Sequence, residues 1–338
     1  MYEKKLKNNL VLMKLVILGS SAAIPVKDRN LSSVALNYKN KIILFDCGED
    51  VQRKFIEAGL KLNKNLVILI SHFHGDHIIG LPGLLFRFGL IDRTAPVSII
   101  GPKNLYLYLY LHRKILGLKA NYPFMVYEID HQNNKIIEYE GLNSDTPKRE
   151  VEIKKNVVYE TKRFLIKYAV VLHSIQTFAY AFVEKPRNGK FNPERALKLG
   201  IPPSRLWKRM QEGDVIEYEG KTIDPVKEGV VGPKRLGRKV TYSGDTAPCE
   251  SLINLGKDSD VIIHEATFSK DKQDVAIEKQ HSTSVDAATD AKKMSAKQLI
   301  LTHISSRYQG DASKLLEEAK KIFPNAKLAK DLMRLTLK

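Results

Sequence analysis

Apolar strands alternating with helices in both halves of the chain predict an α/β (α+β) architecture: two mixed sheets under outer helices, an αββα sandwich. Short β-branched and apolar runs recur at residues 15–18, 34–36, 41–45, 65–70 and 97–100. Helix-like segments fall between several of them, and the alternation returns near the C-terminus.

In chain order, residues 11–18 are apolar but far too short to span a bilayer, and read as a first strand. Residues 49–58 read as a helix, with Val51, Phe55 and Ile56 on one face and Gly59 as the stop. The buried strand at 65–70 is followed by a helix over 78–90. Residues 104–116 alternate leucine and tyrosine as a strand would, but their length and the Gly101-Pro102 start favour a helix. A second strand series runs from Phe124 to Val183 and includes 136–139, 151–153 and 178–183. A third comprises 238–243, 261–263 and 299–301, with helices at 284–292 and 311–322. Residues 186–237 differ. They hold Pro186, Pro193, Pro202, Pro203, Pro225 and Pro233 and the only tryptophan, Trp207, and are rich in Lys, Arg and Gly. They read as a protruding insertion within a single domain spanning 1–338, helical near 194–199 and 206–211; the bland alternative is a long surface connection.

The composition is that of a globular protein, 43% hydrophobic and 28% charged over 338 residues. No apolar run approaches the roughly 18 residues of a membrane span, and no cleavage site marks a signal peptide. Met13 is an alternative start that would make residues 1–12 an extension. Two cysteines, Cys47 and Cys249, are too few for a disulfide scaffold and fit a reducing cytosol, so a cytoplasmic, membrane-free protein is expected. The net charge of +17 has a bland source in lysine-rich usage, but an excess this large favours a polyanionic partner.

His72, His74, Asp76 and His77 form an H-x-H-x-D-H motif between the apolar strand and the following helix. Imidazole and carboxylate are the side chains Zn²⁺ prefers among N and O donors. Three histidines and an aspartate buried there without a metal would cost several kcal/mol. On a strand-to-helix turn, His72 and His74 can face one position while Asp76 and His77 fold towards a second. Two metal spheres need more ligands, and strand-end candidates stand at His173, at Asp245 in S-G-D-T and at His303. Asp46, in F-D-C-G-E, is expected as a buried carboxylate behind the ligand turn. His112 and His131 lie in no recognisable motif.

This set of residues resembles the metallo-β-lactamase fold and, within it, the ribonuclease Z family of tRNA 3′-processing endoribonucleases. The resemblance covers nearly the whole chain from residue 14. It rests on L-G-S-S-A-A-I-P-V-K-D-R-N-L-S-S at 18–33, F-D-C-G-E, the metal motif, S-G-D-T, H-E-A-T at 264–267, H-S-T at 281–283 and Thr302-His303. It implies one zinc on His72, His74 and His173 and a second on Asp76, His77 and His303, with Asp245 bridging. Asp76 would orient or deprotonate the attacking water, His281 would protonate the leaving oxygen, and Glu265 would orient His281. His264 has an equally good reading as a local packing residue.

Lys27, Arg29 and Asn30, in the loop before the second strand, are implied as contacts near the tRNA 3′ end. In the turn at 186–191, Arg187, Lys190 and Phe191 would meet phosphate and base, with a plain solvated turn as the equal alternative. The insertion, about 190–237, resembles the family's arm that grips the tRNA elbow, although Pro202-Pro203 matches the arm's proline turn only in half. Members of this length work as homodimers, so a homodimer acting on precursor tRNA is expected. Two rival readings remain: a phosphodiesterase of the same fold acting on small or cyclic diesters, which the loop and the basic arm oppose, and a non-catalytic RNA-binding relative, which the full set of metal positions opposes.

Overall fold

The computed structural model describes residues 13–144 and 146–337; the expected extension at 1–12 lies outside the described residues. The first half supplies β1 (Met13–Gly19), β2 (Ser33–Tyr38), β3 (Lys41–Phe45), β4 (Asn65–Leu69), β5 (Val97–Pro102), β6 (Phe124–Asp130), β7 (Lys135–Glu140) and β8 (Arg149–Glu152). Helices α1 (Val51–Glu57), α2 (Gly75–Ile78), α3 (Gly80–Leu90) and α4 (Leu105–Leu116) fall between them. The second half supplies β9 (Val157–Glu160), β10 (Phe164–Val171) and β11 (Thr177–Glu184), then α5 (Pro193–Lys198), α6 (Arg205–Glu212), β12 (Ile216–Tyr218) and β13 (Lys221–Ile223). After these come β14 (Lys239–Tyr242), α7 (Glu250–Gly256), β15 (Val261–Glu265), α8 (Gln273–Glu278), α9 (Ser284–Lys293), β16 (Leu299–Thr302), α10 (Ser313–Lys320), β17 (Ala326–Leu328) and β18 (Arg334–Leu337).

Two large mixed sheets result, ordered β18-β1-β2-β3-β4-β5-β6-β7-β8 and β17-β16-β15-β14-β11-β10-β9. In the first, β3 to β6 run parallel; in the second, β14 to β17 do. Leu66, Val67, Ile68 and Leu69 of β4 are all buried, as a strand covered on both faces requires. Between the sheets, the Tyr38 and Phe182 rings lie 5.2 Å apart, Phe45 and Tyr242 5.4 Å apart, and the Tyr180 hydroxyl donates to the Ile70 carbonyl at 2.8 Å. Phe55 of α1, Phe88 of α3 and Leu109 of α4 pack on the far side of the first sheet.

Several boundaries differ from expectation for local reasons. The helix expected over 78–90 is two helices, α2 and α3, and α2 begins inside the ligand motif. Gly80 opens α3 where a Cβ would lie 1.9 Å from the Gly48 carbonyl oxygen, so only glycine permits this approach. Helix α1 starts at Val51 because Asp50 sits at φ 64 and cannot be helical. Residues 104–116 are helical despite their alternation: Asn104 and Gly117 bound α4 in left-handed conformations, and Leu105, Tyr106 and Leu109 form its buried stripe.

The chain separates into two compact units. The first holds the described residues up to Glu160, Ile166–Phe182 and the residues from Lys239 onward. The second holds Thr161–Leu165 and Val183–Arg238. Residues 190–237 fall inside this second unit, which reaches further at both ends. It has a small core of its own: Ala196, Ile201, Met210, Ile216, Ile223 and Val230, with Phe191 and Trp207 packed against it. Asn192 and Ser204 cap its helices, accepting from the backbone N–H groups of Arg195 and Leu206.

Candidate metal centre

The ligand motif is set by the F-D-C-G loop behind it. Cys47 N–H donates to the His77 carbonyl at 2.7 Å and Gly80 N–H to the Cys47 carbonyl at 2.9 Å, clamping the turn on both sides. Asp46, at φ 56, is fully buried and accepts four hydrogen bonds. These come from Ser71 N–H, the Ser71 hydroxyl, His77 Nδ1 and the Tyr242 hydroxyl, each at 2.7 Å. With Nδ1 of His77 donating to this carboxylate, Nε2 is the atom aimed at the pocket.

Seven side chains from four stretches of chain converge there. His72, His74, His173 and Asp245 form one group of mutually close ligand atoms, and Asp76, His77 and His303 another. Asp245 Oδ2 lies between them, 3.2 Å from His303 Nε2, 3.3 Å from His77 Nε2, 3.7 Å from His72 Nε2 and 3.9 Å from His173 Nε2. His72 Nε2 is 3.1 Å, and His173 Nε2 3.2 Å, from His74 Nδ1. The outer nitrogens are tied back: His173 Nδ1 to the Gln280 carbonyl at 3.0 Å, and His303 Nδ1 to the Thr267 hydroxyl at 2.8 Å. His303 holds φ 55, an uncommon conformation for a residue with a Cβ, of the kind concentrated at functional sites.

The electrostatics fit a cation. Burial, and next the mutual repulsion of the rings, hold His72 and His74 below the usual histidine range; burial does the same for His173. These three are therefore neutral imidazoles, the form that ligates. Burial opposes the charged form of His77, but Asp245 and Asp46 outweigh it and raise that residue well above its ordinary value. Burial likewise opposes the Asp76 carboxylate, yet hydrogen bonds from His303 and His77 pull it well below the usual range. His77 Nε2 and Asp245 Oδ1 are buried with no hydrogen-bond partner. Orphaned buried atoms are costly, and these two belong to a set of N and O donors that suits a divalent ion such as Zn²⁺.

Beside this cage, His281 Nδ1 lies 2.7 Å from Glu265 Oε1. Burial works against its cation, but Glu265 outweighs burial and His281 is raised to about 9. Glu265, wholly buried, also accepts from Thr246 N–H at 2.8 Å and from the Thr267 hydroxyl at 2.6 Å. Thr267 thus links Glu265 to His303. Sequence reasoning gave it no role, although its place in H-E-A-T was the available signal. Ala23 N–H, donating to Asp76 Oδ2 at 2.8 Å, was also missed, since a backbone donor carries no residue signature. His264 is a packing residue: it is fully buried, with Nδ1 2.7 Å from the Glu265 carbonyl oxygen and Nε2 3.6 Å from Asp290 of α9.

The residues expected to contact substrate are placed more variously. Lys27 is exposed. Arg29 is half-buried and donates through Nη1 to the Ser20 hydroxyl and the Ala329 carbonyl, while Asn30 N–H donates to Asp331. In the second unit, Lys190 is exposed. Arg187 pairs with Glu184 at 3.3 Å, and the Phe191 ring lies 5.1 Å from that of Trp207.

Comparison with known proteins follows the same lines. A family model described as a beta-lactamase superfamily domain matches residues 229–304, and one described as anti-Pycsar protein Apyc1 matches residues 13–137. The ribonuclease Z of Methanosarcina mazei is 36% identical over 324 residues, covering 96% of this chain and 98% of that protein. That of Nitrosopumilus maritimus is 35% identical over 326 residues, covering 96% and 100%. Among solved structures, the short form of human tRNase Z aligns over 96% of this chain and all of its own, with a TM-score of 0.64 and 25% identity. YhfI from Bacillus subtilis, a metallo-beta-lactamase fold protein, aligns over 97% with a TM-score of 0.63 but 17% identity, a likeness of fold alone. Identity sustained at this level across nearly the whole of both chains is a family relationship: the chain belongs to the ribonuclease Z family.

Proposed function

We propose that the chain is a tRNA 3′-processing endoribonuclease, removing the 3′ trailer of precursor tRNA by a cut after the discriminator nucleotide that leaves a 3′-hydroxyl. The observation that carries this reading is the cage in which Asp245 Oδ2 joins two groups of ligands, in a chain of this family. Two Zn²⁺ ions are the cofactors proposed, one on His72, His74 and His173, one on Asp76, His77 and His303, with Asp245 shared. When bound, such a pair supplies a nucleophile at neutral pH and neutralises phosphate charge.

The chain's own groups do the rest. Asp76, its Oδ2 held by the Ala23 N–H, is the group assigned to orient the attacking water and take its proton. His281, held by Glu265 through Nδ1, keeps Nε2 for the reaction. Raised to about 9, it carries a proton at neutral pH and can give it to the departing 3′-oxygen. Thr267 keeps Glu265 and His303 in register.

For substrate contacts, exposure favours Lys27 and Lys190 as phosphate partners. The bonds of Arg29, Asn30 and Arg187 and the packing of Phe191 suit them to positioning those two loops. The second unit, with residues 190–237, is read as the part that holds the tRNA away from the chemistry. A cytoplasmic setting follows from that substrate, and no helix among the described residues is long and apolar enough to cross a membrane. A homodimer is part of the same reading, supported by the exposed stripe Leu107, Leu111 and Ile115 on α4.

The test is cleavage of a 3′-extended precursor tRNA mapped to the nucleotide, with His74→Ala alongside. A single cut beside the discriminator, lost in the variant together with one of two bound metals, supports the reading. Scattered cuts that persist in His74→Ala would sink it. Removing residues 190–237 should abolish tRNA cleavage and spare hydrolysis of a small diester; equal loss of both would refute the role given to the arm.

A further inference from the structure

Apart from the metal centre, a cavity of about 480 Å³ opens on the second sheet, large enough for a nucleotide-sized ligand. None of the seven ligands lines it. Lys155, Lys167 and Lys239 do, together with His131, Tyr168 and Asn254. No carboxylate is among the lining residues, and Lys155 and Lys167 make no ion pair among the described residues. Lys239 spends its ammonium on the Lys257 carbonyl at 2.7 Å. Burial first, and then the charge of Lys167, disfavour its protonated form, with only Asp258, outside the lining, acting the other way.

The lining is also built. Lys155 and Asn156 are the central residues of a tight turn closed by Val157 N–H to the Lys154 carbonyl at 3.0 Å. Both take left-handed conformations, φ 53 and φ 58, the pattern of a type I′ turn in which Asn and Gly are the usual choices. A lysine there pays for its Cβ without contributing to the turn. Tyr168 N–H donates to the Asn156 carbonyl at 3.0 Å, which fastens the turn to β10 next to Lys167. His131 Nδ1 lies 3.0 Å from the Tyr168 hydroxyl, so the aromatic wall is fixed as well. Lys155 and Lys167, lining a formed cavity without counter-charge, are complementary to an oxyanion that accepts from more than one donor.

We propose that this cavity is a second phosphate-binding site, in which Lys155 and Lys167 together hold one phosphate group. That phosphate comes either from the backbone of a bound RNA or from a free nucleotide; the chemistry is shared and the experiment separates the sources. The metal-loaded full chain is compared with the Lys155→Ala/Lys167→Ala double variant and with Lys155→Arg/Lys167→Arg. Thymidine 3′,5′-bisphosphate is titrated by calorimetry, and precursor tRNA affinity is measured between 50 and 200 mM salt. Hydrolysis of bis(p-nitrophenyl) phosphate checks that the metal centre is intact.

The alanine variant is expected to bind the bisphosphate about tenfold more weakly, the arginine variant to retain binding, and all three to hydrolyse the small diester alike. With RNA as the source, tRNA affinity also falls in the alanine variant, and the slope of log K against log salt loses about 0.9 for each phosphate contact removed. Loss of the bisphosphate alone assigns the site to a free nucleotide. Unchanged binding of both ligands overturns the proposal. The RNA arm rests on the nuclease reading and the bisphosphate arm does not, so failure of one is distinguishable from failure of the other.

Discussion

Asp46 touches no substrate and belongs to neither ligand group, yet Asp46→Asn is expected to damage the centre. The substitution keeps the side chain's shape, so no cavity opens. Oδ2 accepts from Ser71, His77 and Tyr242, and the other oxygen only from Ser71 N–H. The amide therefore keeps its oxygen towards the three donors and turns its NH₂ against the Ser71 N–H. Bonds to a charged acceptor are roughly twice as strong as neutral ones, so three of them falling from about 2 to about 1 kcal/mol lose about 3 kcal/mol. The stranded N–H adds about 1 kcal/mol. A loss of about 4 kcal/mol, at about 2 °C per kcal/mol, lowers the melting temperature by about 8 °C. The Nδ1–H of His77 also loses its anionic partner, and mutations of this kind weaken metal affinity about 10- to 100-fold. Differential scanning calorimetry and zinc competition with a chromophoric chelator read the two effects. An asparagine variant with parental zinc affinity and parental melting temperature would refute the idea that this carboxylate sets the ligand turn.

Glu265→Gln should leave the metal content unchanged and lower kcat about 100-fold or more. Because Glu265 is what raises His281 to about 9, the alkaline limb of the pH–rate profile should move to lower pH; a profile displaced the other way contradicts the assignment of the acid. Gly189→Ala places a Cβ 2.0 Å from the Gly232 carbonyl oxygen, and should loosen the small core of the second unit. Trp207 reports this as a red-shifted emission, and an unshifted spectrum would mean that the crossing is softer than described. Asp290→Asn tests the buried pair with His264. Burial opposes the His264 cation but Asp290 raises it above 6.5, so the pair's contribution is complete below the unfolded value and disappears as pH rises through the folded one. The stability gap between parent and variant, measured by denaturant unfolding, should be widest at acid pH and narrow as pH rises through the folded value; a gap independent of pH would rule the pair out.

The centre was more legible in the sequence than its surroundings, because its ligands are rare residue types held at strand ends, where hydropathy marks the strand and spacing marks the turn. His173 and His303 could be picked out that way although they lie 99 and 227 residues from the motif residues they nearly touch, and Asp245 likewise. The supporting groups were legible only where a motif contained them. Asp46 and Glu265 stood in recognisable runs, whereas the Tyr242 hydroxyl and Ala23 N–H did not, since nothing about a strand tyrosine or a loop alanine tells which carboxylate it will meet. The leucine–tyrosine alternation of α4 misleads because a period of two describes a strand. It is overridden by the capping residues and by a stripe at 105, 106 and 109 that only a helix can bury. The paired helices α2 and α3 were read as one because their break lies in a backbone approach between Gly48 and Gly80, a contact with no local signature. Phe191 carries a second contact the sequence does not mark: an aromatic in a basic turn suits base stacking, and the half-buried ring also packs against a small core nearby.

The candidate ligands are spread from residue 72 to residue 303, and neither group is complete within one half of the chain. A nascent polypeptide therefore translates most of its length with histidines that cannot yet assemble a site. Until the strand ending at Thr302 pairs with its neighbour, Asp76 and His77 lack their third companion. The first group can close once residue 245 is made and the second only at residue 303, so the whole centre is available only to a nearly finished chain, and a chain cut short before His303 lacks it without needing a separate inhibitor.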